Sequence, residues 1–183
     1  MSRQIRIRRS SGNASKLPKR ILGIDPGSVV TGYGVIDSIR GKLQLVEQGC
    51  IRTKRGDDFC ERLGQIHAGI REVIARTKPQ AVAVETPFSG LNAKSLIQLA
   101  QARGVILLAV HGAGLAVHEY SPRSVKSAVV GYGGAEKQQI GRMVRLLVNG
   151  IDGAKISADA ADALAIAICH AHSARLTTGF AGI

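Results

Sequence analysis

The sequence predicts an α/β domain built on a mixed five-stranded sheet, with three strands in an antiparallel meander, two parallel strands and helices on both faces. Short apolar runs bounded by Gly and Pro open the chain and predict strands joined by tight turns. Longer segments with apolar residues every three or four positions predict helices that alternate with further strands. The 183 residues are enough for one domain with its own core.

The opening hairpin puts an acid at the end of an apolar strand. Residues 21–25 predict a buried strand that ends at Asp25, and a Pro-Gly turn leads to a return strand at 32–36. Residues 43–52 complete the meander. A carboxylate in this position needs a partner such as a metal ion, or it caps the turn by accepting backbone N–H groups. The hairpin alone leaves both interpretations open.

After the meander, helices alternate with two parallel strands. Ser121 and Pro122 form an N-cap pair with Pro at the first helical position, and a Gly-rich segment at 131–134 ends that short helix. The strands are predicted at 81–85 and 115–120, and the helices at 57–77, 92–111, 122–126, 136–148 and 157–172.

Three further acids are predicted to approach Asp25. Glu85 ends the first parallel strand, while Asp159 and Asp162 are three residues apart and share a face of the last helix. Aspartates are also favoured in a first helical turn by the helix dipole, which is the structural alternative. Four clustered carboxylates would repel one another unless divalent cations neutralise them, and hard oxygen ligands suit Mg²⁺ or Mn²⁺. The cluster predicts metal-dependent phosphodiester hydrolysis.

The charge of the chain indicates a polyanionic partner. The net charge is +12 and the pI about 10.3, which favours nucleic acid or an acidic membrane face. Residues 1–20 contain seven basic residues and no acid, so the body is only moderately basic. No stretch is expected to reach the apolar length of a membrane span, and a soluble protein is predicted.

The predicted organisation is a basic arm at 1–19, a nuclease domain at 20–175 and a short tail at 176–183. The arm is interpreted as a disordered cationic segment that adds sequence-independent affinity for nucleic acid, or as an organellar transit peptide. The three cysteines are widely spaced, which predicts a reducing compartment without disulfides, and the five histidines form no ligand pattern.

Seven motifs occur in order across almost the whole body of the chain. They are residues 23–28 (GIDPGS), 31–34 (TGYG), 49–53 (GCIRT), 101–104 (QARG), 129–133 (VVGYG), 135–137 (AEK) and 159–165 (DAADALA). With these motifs the chain resembles the RuvC family of bacterial crossover-junction endodeoxyribonucleases. That family resolves Holliday junctions in recombination and DNA repair, and it belongs to the ribonuclease H-like superfamily.

The resemblance implies roles for seven residues. Two Mg²⁺ ions, for which Mn²⁺ substitutes, are held by four acids, while two lysines and an aromatic residue contact the junction. One ion lowers the pKa of the attacking water and the other stabilises the leaving 3′ oxygen, which gives a 5′-phosphate and a 3′-hydroxyl. The acids are Asp25, Glu85, Asp159 and Asp162, the lysines are Lys126 and Lys137, and the aromatic residue is Phe88.

The resemblance also implies a homodimer, a branch-migration complex of RuvA and RuvB as partner, and a location in the bacterial cytoplasm away from membranes. A symmetric dimer would supply two acid clusters for the two strands of a four-way junction. The helix at 92–111 carries more apolar residues than one core-facing stripe needs, which predicts a dimer patch or burial on two sides within one monomer.

Two other classes share parts of this pattern. Actin-like ATPases and sugar kinases open with a similar hairpin, but they need a second domain for which the chain has no room. A catalytically different ribonuclease H-like protein that binds or processes nucleic acid would be expected to have lost one of the acids. All four acidic positions are filled here.

Overall fold

The computed structural model describes residues 19–87, 92–151, 153 and 155–179. Nearly all of the predicted arm at 1–19, and the predicted base-stacking residue Phe88, lie outside the described residues.

The sheet contains the predicted meander, β1 (Lys19–Asp25), β2 (Val30–Ile39) and β3 (Lys42–Arg52), and the predicted parallel strands β4 (Ala81–Glu85) and β5 (Val117–Tyr120). A two-residue strand, β6 (Val148–Asn149), pairs parallel with the start of β3, so the described sheet has six strands rather than five. The strand order is β5-β4-β1-β2-β3-β6. The pairing of β1 with both β2 and β4 puts Asp25 at the centre of the sheet.

The helices are α1 (Phe59–Thr77), α2 (Ala93–Gly112), α3 (Pro122–Val130), α4 (Lys137–Leu147) and α5 (Ala158–Gly179). Local capping explains where the bounds differ from the prediction. The Asp58 side chain accepts from the backbone N–H of Cys60 at 2.8 Å, so α1 begins at Phe59 rather than at residue 57. Helix α3 continues past Lys126 until Gly131, whose φ of 93° ends it. Helix α5 continues to Gly179, past residue 172.

Two apolar layers cover the two faces of the sheet. Helices α3, α4 and α5 pack with Ile21 and Ile36 on one face. Helices α1 and α2 pack with Leu22, Ile24 and Val35 on the other face. Neighbouring strand residues therefore enter opposite layers, as the strand period of two requires. The prediction of an α/β fold with helices on both faces is confirmed.

Helix α5 lies directly on the central hairpin because glycines of β1 and β2 offer no side chain where it crosses them. A Cβ atom at Gly23 would collide with the carbonyl oxygen of Ala163, and one at Gly32 would collide with the carbonyl oxygen of Asp159. Ala160 and Ala163 on the facing side of the helix are fully buried. Small residues on both sides bring the acid-bearing end of α5 next to the end of β1.

Helix α2 corrects one expectation, that no stretch reaches the length of a membrane span. The helix has 20 residues and is long and apolar enough to cross a membrane; its most apolar 18-residue stretch has a mean hydropathy of 1.3, and 22% of that stretch is buried. Length and composition are weak grounds for a membrane span, since core helices share them. Here the Arg103 side chain pairs with Glu119 of β5 at 2.6 Å, and Ala102 and Ile106 are fully buried. The helix therefore docks on the sheet and leaves an apolar outer face.

Candidate active site

The carboxyl ends of two neighbouring strands bring Asp25 and Glu85 together. Residues Ile24 and Val84 are register partners in the parallel pair of β1 and β4, and each acid is the next residue along its strand. Helix α5 contributes Asp159 and Asp162 from its first turns. Asp25, Glu85 and Asp162 line a cavity of about 190 Å³, together with Pro122, Val125, Lys126, Lys137, Ile140 and Ala165. The sheet edge and the helix terminus thus bring three of the four predicted acids to one cavity, while Asp159 lies outside its lining but close enough for its charge to raise the pKa of Asp25.

Burial and the crowding of these acids raise the pKa values of two carboxyl groups. Burial, and then the charges of Glu85, Asp162 and Asp159, raise the pKa of Asp25 to about 7, while Lys137 opposes the shift. Burial and the charge of Asp162 also raise the pKa of Glu85. Without added positive charge, the charged form of Asp25 is therefore disfavoured. The site favours cations.

The two lysines predicted to contact DNA lie beside the acids. The Lys137 Nζ atom, at the first residue of α4, is 3.4 Å from an Asp162 carboxylate oxygen, and Asp162 raises the lysine pKa. Its side chain is 82% exposed, so the ammonium group faces solvent as well as the acid. Lys126 on α3 lines the same cavity, and its charge partly opposes the rise in the pKa of Glu85.

The donor atoms of this cluster suit a hard divalent cation. Within the described part of the chain, no three carboxylate, imidazole or thiol side chains converge closely enough to hold a metal ion where they stand. The available donors are nevertheless carboxylate oxygens, which Mg²⁺ and Mn²⁺ prefer, and a cation would offset the burial and the neighbouring negative charges that raise the pKa of Asp25. The chemistry of these residues therefore fits a divalent cation.

A buried arginine holds the turn that follows Asp25, and the sequence pattern did not predict this role. Arg62 of α1 is 6% exposed, and its Nε donates to the carbonyl oxygen of Ser28 at 3.1 Å and to the Thr53 hydroxyl at 3.3 Å. Its Nη2 also donates to the Ser28 carbonyl, and the guanidinium lies 5.3 Å from the centre of the Phe59 ring. The available signal was its position four residues before Ile66, on the apolar face of α1.

The start of α5 is also tied to the sheet. The Ser157 hydroxyl accepts from the backbone N–H of Ala160 at 3.3 Å, and it lies 3.0 Å from the Cys50 sulfur on β3. Ser157 thus caps the helix that carries Asp159 and Asp162, while Cys50 fixes the cap against the meander. The serine before an Ala-rich helix is a capping signal in the sequence, but the partner cysteine 107 residues away is not.

Comparisons with known proteins identify one family. The sequence profile described as RuvC, crossover junction endodeoxyribonuclease RuvC, matches residues 21–170. A protein from Moorella thermoacetica named crossover junction endodeoxyribonuclease RuvC is 49% identical over 151 residues. That alignment covers 82% of this chain and 90% of the relative.

Solved structures agree with the sequence match. The fold is similar to that of T. thermophilus RuvC in complex with Holliday junction substrate, with a TM-score of 0.81 and 37% identity. The alignment covers 87% of this chain and 97% of the solved chain. The yeast mitochondrial Holliday junction resolvase Ydc2 has a TM-score of 0.62 at 14% identity over 91% of this chain and 89% of its own, which supports the fold alone.

Proposed function

The chain belongs to the RuvC family of crossover junction endodeoxyribonucleases, and we propose that Asp25, Glu85, Asp159 and Asp162 form its active site. As a member of this family it is a hydrolytic nuclease that resolves Holliday junctions. One observation carries the assignment of the site: carboxylates from two strand ends and one helix end meet beside two lysines. This arrangement is the one that metal-dependent cleavage of a phosphodiester requires.

The family is metal-dependent, and we propose two Mg²⁺ ions per site, with Mn²⁺ as a substitute. The four acids would hold them, and when bound the ions polarise the scissile phosphate and make water a stronger nucleophile at neutral pH. A bound cation would favour the charged form of Asp25, whose pKa is raised by burial and by neighbouring carboxylates.

The lysines act on the phosphate rather than on the ions. Lys137 is exposed and paired to Asp162 at 3.4 Å, so its ammonium group can reach a phosphate that enters the cavity from solvent. A positive charge that contacts the phosphate mainly in the transition state, where negative charge develops, lowers the activation barrier more than it strengthens binding. Lys126 lines the same cavity, where its charge acts on Glu85, and in this proposal it contacts the neighbouring phosphate of the DNA backbone.

In this proposal, one aromatic residue and the basic arm complete the contacts with the junction. Phe88 follows Glu85 by three residues and stacks on a base at the crossover. The residue after Glu85 is anchored, since the backbone N–H of Thr86 donates to the Tyr120 carbonyl at 2.9 Å. The arm at 1–19 adds phosphate contacts without sequence preference.

We further propose that α2 forms the interface of a homodimer. Ile97, Gln101, Gly104 and Leu108 lie on one face of the helix by their spacing, and the two apolar members are 59% and 60% exposed. A Cβ atom at Gly104 would meet nothing within 4 Å, which leaves room for a second helix to approach. A two-fold interface here gives the two acid clusters that two symmetric nicks need.

The cellular setting follows from the reaction. A Holliday junction resolvase of bacterial type acts in the cytoplasm, and a branch-migration complex of RuvA and RuvB is its expected partner. This part of the proposal rests on membership of the RuvC family.

Cleavage of a synthetic four-way junction tests the function. Each strand is labelled in turn and incubated with Mg²⁺, with EDTA and with a linear duplex of the same sequence as controls. We expect paired nicks on opposite strands of the junction only, with ends that a ligase seals. Binding of the junction without cleavage in Mg²⁺ or Mn²⁺ would instead indicate a catalytically different ribonuclease H-like protein.

A further inference from the structure

A cavity of about 450 Å³ lies beside the turn between β2 and β3, at the end of the sheet opposite the acids. Asp25 is the last residue of β1, whereas Lys19 at the start of this strand pairs with Ser38 just before the turn. The seven residues of β1 span roughly 20 Å, so a molecule in this cavity leaves the acid cavity open. This turn cavity is lined by Ile39, Arg40, Lys42, Gln44 and Asn149.

The turn cavity lies on a corner of the sheet where side chains face solvent. Gln44 and Asn149 are register partners on β3 and β6, and the residues just before them, Leu43 and Val148, are buried in the layer that contains α3, α4 and α5. The two amide side chains therefore point to the other face of the sheet, and both residues are exposed there. Amide groups donate and accept hydrogen bonds, as a peptide backbone does, so they match a peptide in the cavity.

Two cations line the turn cavity without an acid to neutralise them. Arg40 and Lys42 are exposed, and within the part of the chain that the structure describes neither side chain forms an ion pair. Asp37 of the same hairpin pairs instead with Arg20 at 2.9 Å. The cavity therefore presents positive charge and favours an anionic partner.

The backbone that presents Arg40 is one that arginine disfavours. Arg40 and Gly41 form the two-residue loop between β2 and β3, with φ angles of 48° and 88°. Positive φ at both positions is typical of a type I′ hairpin turn, in which Asn, Asp and Gly are preferred. An arginine in the left-handed region adds strain, so the stability of the turn does not explain this residue. Its charge, in contrast, serves the cavity that it lines.

We propose that the turn cavity binds an acidic segment of a partner protein that carries one apolar side chain. The two cations match its carboxylates, and Ile39, which is 40% exposed, offers apolar surface to its apolar side chain. The volume lies within the roughly 300–1,000 Å³ of cavities that enclose organic ligands, which is enough for one or two side chains. A DNA duplex would use the cations, but its phosphates gain nothing from Ile39.

The inference goes beyond the nuclease activity and does not depend on it, because the partner and the junction bind at opposite ends of the sheet. A displayed library of random dodecapeptides tests it. The library is selected on the full chain at about 0.15 M salt, which screens the general attraction of a chain with a net charge of +12. Excess duplex DNA is present to occupy the surface around the acids. Enriched peptides are then labelled, and their affinity is measured by fluorescence anisotropy.

Four proteins are compared: the wild type, Arg40→Glu, Arg40→Asn and Arg71→Glu. Arg71→Glu is the matched control, since it reverses the charge of an exposed arginine on α1. Arg40→Asn removes the cation but suits the left-handed backbone, so we expect it to unfold at a higher temperature than the wild type while it binds the peptides less tightly. This variant separates loss of the cavity's charge from loss of the fold.

We expect enriched peptides that are rich in Asp and Glu and contain a Leu, Ile or Phe. Arg40→Glu should weaken their binding about tenfold or more, and Arg71→Glu by less than about twofold. Replacing the apolar residue of the peptide with Ser should also cost about tenfold. No enrichment, enrichment without acidic residues, or peptide affinities that Arg40→Glu leaves unchanged would overturn the inference. A comparable loss of junction affinity in Arg40→Glu, with no peptide present, would identify a DNA contact and overturn it too.

Discussion

The guanidinium of Arg62 and the carbonyl oxygen of Ser28 join α1 to the turn that follows Asp25, with Nε and oxygen 3.1 Å apart. Buried cations normally have an acidic partner, whereas the described partners of this one are a carbonyl, the Thr53 hydroxyl and an aromatic ring. The arrangement fixes the backbone that leads out of the acid-bearing strand.

Replacing Arg62 with Met should therefore loosen this turn while keeping the side-chain length. We expect a loss of about 1–3 kcal/mol in the free energy of unfolding, because a carbonyl loses charged donors. We also expect a higher Mg²⁺ concentration for half-maximal cleavage, since Asp25 is less well positioned. Arg62→Lys should restore part of the metal response, because its ammonium group still offers a donor to Ser28.

The control is Arg71→Met, which removes an exposed arginine from the same helix. Chemical unfolding and Mg²⁺ titrations of junction cleavage are compared for the three variants. An unchanged Mg²⁺ response in Arg62→Met, at lower stability, would reduce Arg62 to a structural role.

Removing one acid should separate catalysis from binding. We expect Asp25→Asn to lower the rate of cleavage of a four-way junction on the order of a thousandfold or more. The four acids are proposed to act together, so the remaining three cannot take over the role of Asp25. Junction affinity should stay the same or increase, because a negative charge is removed from the DNA-binding face. Gel-shift titrations and single-turnover cleavage measure both. Wild-type cleavage by Asp25→Asn in Mg²⁺ would refute the metal assignment.

Lys137 should contribute to the rate more than to affinity. Its ammonium group lies 3.4 Å from Asp162 and its side chain is largely exposed. It can therefore contact the phosphate and stabilise the negative charge that develops there in the transition state. We expect Lys137→Ala to lower saturated turnover about tenfold to a hundredfold, with less than about threefold loss of affinity. Lys42→Ala, at the far end of the sheet, removes the same charge and serves as control. A loss of affinity alone would make Lys137 an ordinary backbone contact.

The raised pKa of Asp25 predicts how pH affects the metal-free protein. A carboxyl with a pKa of about 7 in the folded state, above its ordinary 3.8, stabilises the fold through its proton. That contribution is complete below about pH 4 and is lost as the pH rises through 7. We expect the stability of the wild type relative to Asp25→Asn to fall between pH 5 and pH 8 in EDTA. Added Mg²⁺ should restore it at pH 8.

The comparison with Asp25→Asn is needed because a second group titrates in this range. Burial lowers the pKa of His170 to about 4, so its contribution to stability increases as the pH rises toward its ordinary 6.5. Both proteins share this histidine, and it cancels in the difference. Thermal unfolding at several pH values gives the two curves. Parallel curves would contradict the proposed crowding of the acids.

The exposed face of α2 predicts a dimer that one charge can break. Sedimentation at micromolar concentration should give roughly twice the 19.3 kDa chain mass for the wild type. Leu108→Glu should give the chain mass, with single nicks retained but coordinated cleavage of both strands reduced. Leu146→Glu, at an exposed leucine on α4, is the control and should remain dimeric. A monomer that cuts both strands of one junction together contradicts the symmetric mechanism.

Local sequence signals specify the main elements and the candidate acids. Apolar runs that end at Asp25 and Glu85 have the period and the turn residues of strands, and these signals depend only on neighbours along the chain. The spacing of Asp159 and Asp162 likewise fixes their common helix face. Strand ends and helix faces are local properties, so the amino-acid sequence alone is enough to single out the candidate acids.

Tertiary packing, in contrast, selects the distant groups that serve this cluster. Arg62 and Cys50 have no local signal for their partners, Ser28 and Ser157, because those contacts arise from helices docking on the sheet. The two-residue strand β6 is too short for a period of its own, and it exists because α4 delivers it to the edge of β3. A cavity between α4 and α5 likewise depends on how closely these two helices pack, which is a tertiary property.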